Sequence, residues 1–274
     1  FFKQKTAYEI SACLVGSVMI PMMKREGYHA DYAVNVTTHA ALVGALMPTS
    51  HNIIIYTLAA GGKVSIAALI AAGVIPALIL TLCNLAAAYF VARSRGYPAG
   101  TFPGWAIVGR SLVAATPGLF VVVLIIAGIL SGVFTATESA AVAVLYALAL
   151  TIFVYRSLTW DQFVRAASKA VKTTGVVLLL IGISATFGYL ISFYGVAEKT
   201  GELMASVSTS PWAIFLMVNV ILFVLGTFLD MAATILICTP IFLPICMQYG
   251  MGPVQFGIVM LLNCALGLNT PPVG

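Results

Sequence analysis

The sequence predicts an all-α, polytopic membrane protein with re-entrant helical hairpins and a broken helix. Three observations carry that prediction. Of 274 residues, 61% are hydrophobic and only 8% charged, with mean hydropathy +1.08. A soluble domain is about 25% charged, so this chain could not cover its own surface in water. Several apolar runs exceed the ~18 residues that suggest a spanning helix, and their continuity excludes the ~10-residue alternating strands of an outer-membrane barrel. Short apolar pieces that meet at Pro, Ser or Thr recur near both ends. Nucleic-acid binding is disfavoured, because the net charge of +5 comes from scattered Lys and Arg rather than a basic stripe.

Residues 1–10 stand apart. Lys3-Gln4-Lys5-Thr6-Ala7-Tyr8-Glu9-Ile10 reads like the conceptual translation of a sequencing adapter, and the composition turns apolar at Ser11. This segment is expected to be non-native and is set aside. The remaining membrane domain, 11–274, is expected to be partial, since no helix closes it after Thr270-Pro271-Pro272-Val273-Gly274.

Residues 11–23 read as the end of a helix, closed by Lys24-Arg25-Glu26-Gly27. Residues 33–60 predict the first hairpin, two short arms around Met47-Pro48-Thr49-Ser50. An arm of about 15 residues rises ~22 Å, short of the ~30 Å hydrocarbon core; the alternative is one kinked helix. A long span follows over 64–92, closed by Arg93 and Arg95, then a Gly/Pro-rich linker, 96–104, and an interfacial piece around Arg110. Residues 117–155 are apolar except at Phe134-Thr135-Ala136-Thr137-Glu138-Ser139 and predict the broken helix. Asp161, Arg165, Lys169 and Lys172 alternate with Leu158, Phe163 and Val164, the pattern of an amphipathic interfacial helix over 158–172. Spans over 173–194, 211–229 and 231–247 precede a short piece, 254–274, the first arm of a second hairpin. Cys13, Cys83, Cys238, Cys246 and Cys264 lie in apolar runs without CxxC spacing and read as buried small residues, not as disulfides or metal ligands. His29, His39 and His51 read as helix-surface or loop residues. Gly128 and Gly132 form a GxxxG that predicts close helix packing.

The two ends resemble each other. Pro21 and Pro244, Gly27 and Gly250, Gly44 and Gly267, and Pro48 and Pro271 are each 223 positions apart. Paired Pro/Gly-interrupted segments point to a secondary-transporter binding site. The copies are inverted if an odd number of crossings separates them. The count is odd if 117–155 is one crossing broken at 134–138, and even if it is two. The broken single crossing, hence inverted repeats, is the preferred reading, because transporter sites use such breaks.

Three places can carry chemistry. Glu138 lies inside an apolar stretch, where a carboxylate costs ~2.5–3.5 kcal/mol unless it faces a cavity or partner. With Thr135, Thr137, Ser139 and the open carbonyls of the preceding half-helix, it offers an oxygen cage for a small cation; the alternative is a helix cap. Pro48 breaks the first hairpin, and Thr49 and Ser50 can cap the return helix, whose N-terminus attracts anions. Asn269, Thr270, Pro271 and Pro272 form the counterpart tip. Asp230, in Gly226-Thr227-Phe228-Leu229-Asp230, is the third.

These residues resemble the large membrane subunit of tripartite ATP-independent periplasmic (TRAP) transporters. The resemblance covers essentially all of 11–274. It rests on Gly132-Val133-Phe134-Thr135-Ala136-Thr137-Glu138, on Leu225-Gly226-Thr227-Phe228-Leu229-Asp230, on Pro240 through Pro244, and on Phe256-Gly257 with Gly267-Leu268-Asn269-Thr270-Pro271-Pro272-Val273-Gly274. One departure is the first tip, Pro48-Thr49-Ser50, where the family has Pro-Pro-Ser. The resemblance implies a sodium-coupled importer of organic acids, dicarboxylates among them, in the bacterial inner membrane, working by an elevator motion and requiring no cofactor beyond the coupling ion. It implies two partners, a small membrane subunit and a periplasmic solute-binding protein. It also implies sodium and substrate sites at Pro48, Thr49, Ser50, Thr135, Thr137, Glu138, Thr270 and Pro271. Rival readings are a binding-protein-independent anion/sodium symporter and, more distantly, an intramembrane protease. The protease lacks motif support: Asp230 follows Phe-Leu rather than GxG, and Gly128-Ile129-Leu130-Ser131-Gly132 has the wrong spacing for GxSG.

Overall fold

A computed structural model describes residues 19–46, 50–62, 64–98, 104–156 and 158–270. All regular elements among the described residues are helical. A helical stretch over 19–25 is followed by α1 (Ala30–Leu46), α2 (His51–Ala59), α3 (Ile66–Ser94), α4 (Trp105–Leu130) and α5 (Ala136–Ala149), which runs on into a π turn, Leu150–Val154. Then come α6 (Trp160–Phe193), α7 (Val196–Val207), α8 (Pro211–Phe228), α9 (Met231–Gln248) and α10 (Pro253–Leu268). Six are long and apolar enough to cross a membrane: α3, α4, α5 with its π turn, α6, α8 and α9. The chain is a polytopic membrane protein. Its helices form two units, residues 1–99 with 184–274, and residues 100–183.

In the first unit, α10 is the most enclosed element. Phe256, Met260, Leu261 and Cys264 have no exposed surface, and α10 packs on α8, α9, α1, α3 and α2. Lipid is as apolar as these side chains, so close fit rather than water exclusion must hold the helices together. Two glycine contacts show that fit. A Cβ on Gly267 would stand 2.5 Å from the Gly226 carbonyl carbon, so α8 and α10 touch backbone to backbone. A Cβ on Gly257 would stand 2.5 Å from the Tyr56 ring, whose hydroxyl donates to the Pro253 carbonyl.

The repeat is visible in local geometry. Gly27 and Gly250 both have φ +91°, which a glycine adopts without strain. Around them the same bonds recur 223 positions apart: Tyr28 N to the Met23 carbonyl and Met251 N to the Cys246 carbonyl, both 3.0 Å. Each closes one helix, after which α1 or α10 begins. At 17 and 16 residues, these two rise about 26 and 24 Å, short of the core. α2 has 9 residues. α1 packs on α3 and α10, whereas α2 packs mainly on α9 and less on α3 and α10, so the two short helices share two partners and differ in the main one.

Four expectations are corrected. Residues 117–155 are not one interrupted crossing. α4 and α5 fold back on each other, with Tyr146 Oη donating to the Pro117 carbonyl at 3.3 Å and the Phe120 and Tyr146 rings 5.4 Å apart. The reversal occurs because Gly132 takes φ +72° and Thr135 starts a new helix. Among the described residues six spanning-length helices then lie between the start of α2 and the end of α10, so helix count no longer supplies the odd number behind the inverted relation. Residues 158–172 and 173–194 are not two helices but one, α6, of 34 residues; nothing between Lys172 and Gly175 breaks it. Gly132 is a turn residue, and only Gly128 is crowded, its Cβ position 2.8 Å from the Phe134 ring. Cys83 is exposed on α3, while Cys238, Cys246 and Cys264 are buried as expected.

Candidate functional site

The first unit brings the start of α2 and the end of α10 to one helix interruption. α8 ends at Phe228, Leu229 and Asp230 are extended, and α9 begins at Met231. Asp230 caps α9: its Oδ2 accepts from Ala232 N at 3.0 Å, and its carbonyl accepts from Thr234 N and Oγ1. On one side, the first turn of α2 meets this break. Asn52 is 1% exposed and its Nδ2 donates to Met231 Sδ at 2.8 Å. His51 lies within electrostatic reach of Asp230. On the other side, the last turn of α10 meets it through Gly267 against Gly226, and Cys264 too lies within reach of Asp230.

Among the described residues, Asn52 Oδ1, Asn269 Nδ2 and, further along α9, Thr239 Oγ1 are buried without a hydrogen bond. A buried unsatisfied polar atom costs about 1–3 kcal/mol, and few persist without a functional or solvent explanation. Asn52 escaped the sequence reading. Its signal was present, an amide beside a Pro-centred break, but the hydroxyls of Thr49 and Ser50 drew attention first.

The tip residues divide. Pro48, Thr49, Pro271 and Pro272 lie outside the described residues. Ser50 is the N-cap of α2 but its side chain makes no capping bond, against expectation. Asn269 follows α10, and Thr270 turns back on it: Thr270 N donates to the Gly267 carbonyl at 3.0 Å and Oγ1 to the Leu266 carbonyl at 2.9 Å. Those carbonyls are therefore engaged within the chain.

In the second unit, Thr135, Thr137 and Glu138 do gather. Glu138 Oε2 accepts from Thr135 N and Oγ1, both at 2.8 Å, and Thr135 Oγ1 lies 3.1 Å from Thr137 Oγ1. With Glu138 N donating to Thr135 Oγ1 this is a complete capping box, so the local role of the carboxylate is to start α5. Glu138 is exposed. Ser139 is fully buried and its hydroxyl has no hydrogen-bond partner among the described residues. The carbonyls expected to be open at the end of α4 are mostly used: Ala127, Gly128 and Ile129 accept from Ser131, Phe134 and Gly132 amides. Outside the spanning helices, Arg95 lies 2.6 Å from Asp31 and holds that carboxyl below the usual carboxylate range.

Comparison with known proteins assigns this arrangement to a lineage. The family described as "Tripartite ATP-independent periplasmic transporter, DctM component" matches residues 11–274. Similar proteins include the C4-dicarboxylate TRAP transporter large permease protein DctM of Pseudomonas aeruginosa, 35% identical over 95% of this chain and 60% of that protein. The sialic acid TRAP transporter large permease protein SiaM of Vibrio cholerae is 34% identical over 95% and 60%. The 2,3-diketo-L-gulonate TRAP transporter large permease protein YiaN of Escherichia coli is 29% identical over 95% and 61%. The chain thus spans about 60% of the length of these relatives, and each is named as a permease rather than an enzyme.

Proposed function

The chain belongs to the DctM component family of tripartite ATP-independent periplasmic transporters, and from that premise we propose that it is the large permease subunit of a sodium-coupled importer of organic acids. The chain is a multi-pass protein of the bacterial inner membrane. The observation that carries the reading is the α8–α9 interruption, met from one side by the start of α2 and from the other by the end of α10, with Asn52 and Asn269 each leaving a buried polar atom unpaired among the described residues.

Half-helix ends offer opposite partial charges to a cation and to a carboxylate. Sodium would satisfy carbonyl and side-chain oxygens near the tips, with Asp230 and Asn52 added to Ser50, Thr270 and the residues beyond them. The organic acid would bind beside the ordered tips. Neutralising the pair lowers the cost of moving it through the bilayer as one rigid body, the elevator motion. A periplasmic binding protein would deliver the acid, and a small membrane subunit would flank the permease. The relatives' names span dicarboxylates, a sialic acid and a diketo-sugar acid, so the carboxylate is the shared chemistry.

Full-length protein, reconstituted with its small subunit, should take up labelled organic acid only when sodium and the binding protein are both supplied. Uptake that persists with choline in place of sodium overturns the coupling. Uptake indifferent to the binding protein leaves the binding-protein-independent symporter. Asp230→Asn and Asn52→Ala should each raise the sodium concentration required for half-maximal uptake; an unchanged requirement in both removes the α8–α9 break from the site.

A further inference from the structure

One end of the second unit collects charge of a single sign. Because α4 and α5 run antiparallel, Arg110 in the second turn of α4 comes to the end where the π turn Leu150–Val154 closes. Arg156 follows there in the left-handed region, φ +48°. α6 opens four residues later at Trp160. Arg165, Lys169 and Lys172 recur along it at spacings of four and three, which is one face of a helix. The acid of this stretch, Asp161, is already paired with Arg165. The unit's other acid, Glu138, sits at the opposite end of α5 and is bound in the capping box. Arg110, Arg156, Lys169 and Lys172 are exposed and form no ion pair among the described residues.

The same end is also amphipathic. Trp105 and Trp160 are 82% and 78% exposed, and tryptophans mark the headgroup level of membrane proteins. α6 has 34 residues, so it rises about 51 Å against a core of ~30 Å. If its apolar 174–193 segment fills the core, Lys169 and Lys172 fall within about 8 Å of the core edge, among headgroups. Val171, 71% exposed, lies in the same turn but on a different face of the helix. A ligand matching this surface needs an anionic head and an apolar body together. A free anion has only the first, and Lys/Arg-rich ends face the cytoplasm.

We propose that this end binds anionic phospholipid headgroups of the cytoplasmic leaflet, with Lys169 and Lys172 as the main contacts and Arg110 and Arg156 beside them. The assignment is independent of what the permease carries.

The test places full-length protein in bilayers of phosphatidylethanolamine with a minor fraction of phosphatidylglycerol and measures phosphatidylglycerol enrichment in the lipid retained on purification. Each cation near the surface changes anionic-lipid binding about fivefold. Lys169→Gln with Lys172→Gln should therefore lower the enrichment about 25-fold, raised salt should lower it in the native protein, and Lys169→Arg with Lys172→Arg should restore it. Enrichment unchanged in the glutamine variant overturns the proposal. So does its loss in the arginine variant, which keeps the charge. Displacement of the lipid by millimolar inorganic phosphate overturns the commitment to a lipid.

Discussion

Gly267→Ala is the sharpest available probe of how the first unit is held together. The new Cβ would lie 2.5 Å from the Gly226 carbonyl carbon and 2.8 Å from its Cα and oxygen. Ordinary carbon contacts are about 3.5–4.0 Å, so α8 and α10 must part by roughly 1 Å. One turn away, Asn263 Nδ2 donates to Asn219 Oδ1 at 2.7 Å, and that separation takes the bond beyond useful length. Overpacking costs about 1–3 kcal/mol and the interhelical bond about 0.6 kcal/mol. Alanine's better helix propensity returns up to about 1 kcal/mol. The net expectation is a loss of about 1–3 kcal/mol. Gly226→Ala should cost less, since its nearest neighbour would be 3.3 Å away. Gly44→Ala, the counterpart of Gly267 in the first copy, meets nothing within 4 Å and should be neutral or slightly stabilising. Thermal unfolding of the three variants in one detergent gives the order directly. A Gly267→Ala protein as stable as Gly44→Ala would refute the backbone contact.

Other outcomes follow from single contacts. Thr135→Ala removes the N-cap hydroxyl of α5 and should cost about 1 kcal/mol in chemical unfolding, while Glu138→Gln, which keeps an acceptor, costs less. Gly257→Ala pushes on the Tyr56 ring; adding Tyr56→Ala should relieve part of that loss, so a double-mutant cycle should show coupling, and strict additivity would deny the contact. Asp31 has a folded-state pKa below its unfolded value of 3.8. Its pairing with Arg95 thus supports the α1–α3 contact above that value and fades as pH falls through the lower, folded value. An acid-limb titration of stability should show this step, and Asp31→Asn should abolish it.

Much of the architecture was written in residue types with local meaning. Gly27 and Gly250 signalled their turns because only glycine takes φ +91° easily, and they do so with the same bonds. Thr135 with Glu138 marked the start of α5. What escaped were relations between distant segments. Nothing local in Phe134–Ser139 says whether a new helix continues onward or folds back; the pairing of Tyr146 with Pro117 decides it. Lys169 and Lys172 suggested a surface helix, but charges do not interrupt α6. Asn52 carried no sequence signal of its burial against Met231, which depends on a residue 179 positions away. Asp230, the third candidate in the sequence, stands at the junction that the start of α2 and the end of α10 meet.

α9 carries Pro240 and Pro244 in its interior and is the best-buried spanning helix. Each proline withholds an amide from the carbonyl four residues earlier, so the acceptors at Leu236 and Pro240 lose their usual donors within less than two turns. Axial stiffness is thus lowest midway along the rod that joins the Asp230 junction to the Gly250 turn. Bending there would let its two halves tilt separately while the surrounding side-chain interlock stays intact, making α9 a joint inside the bundle.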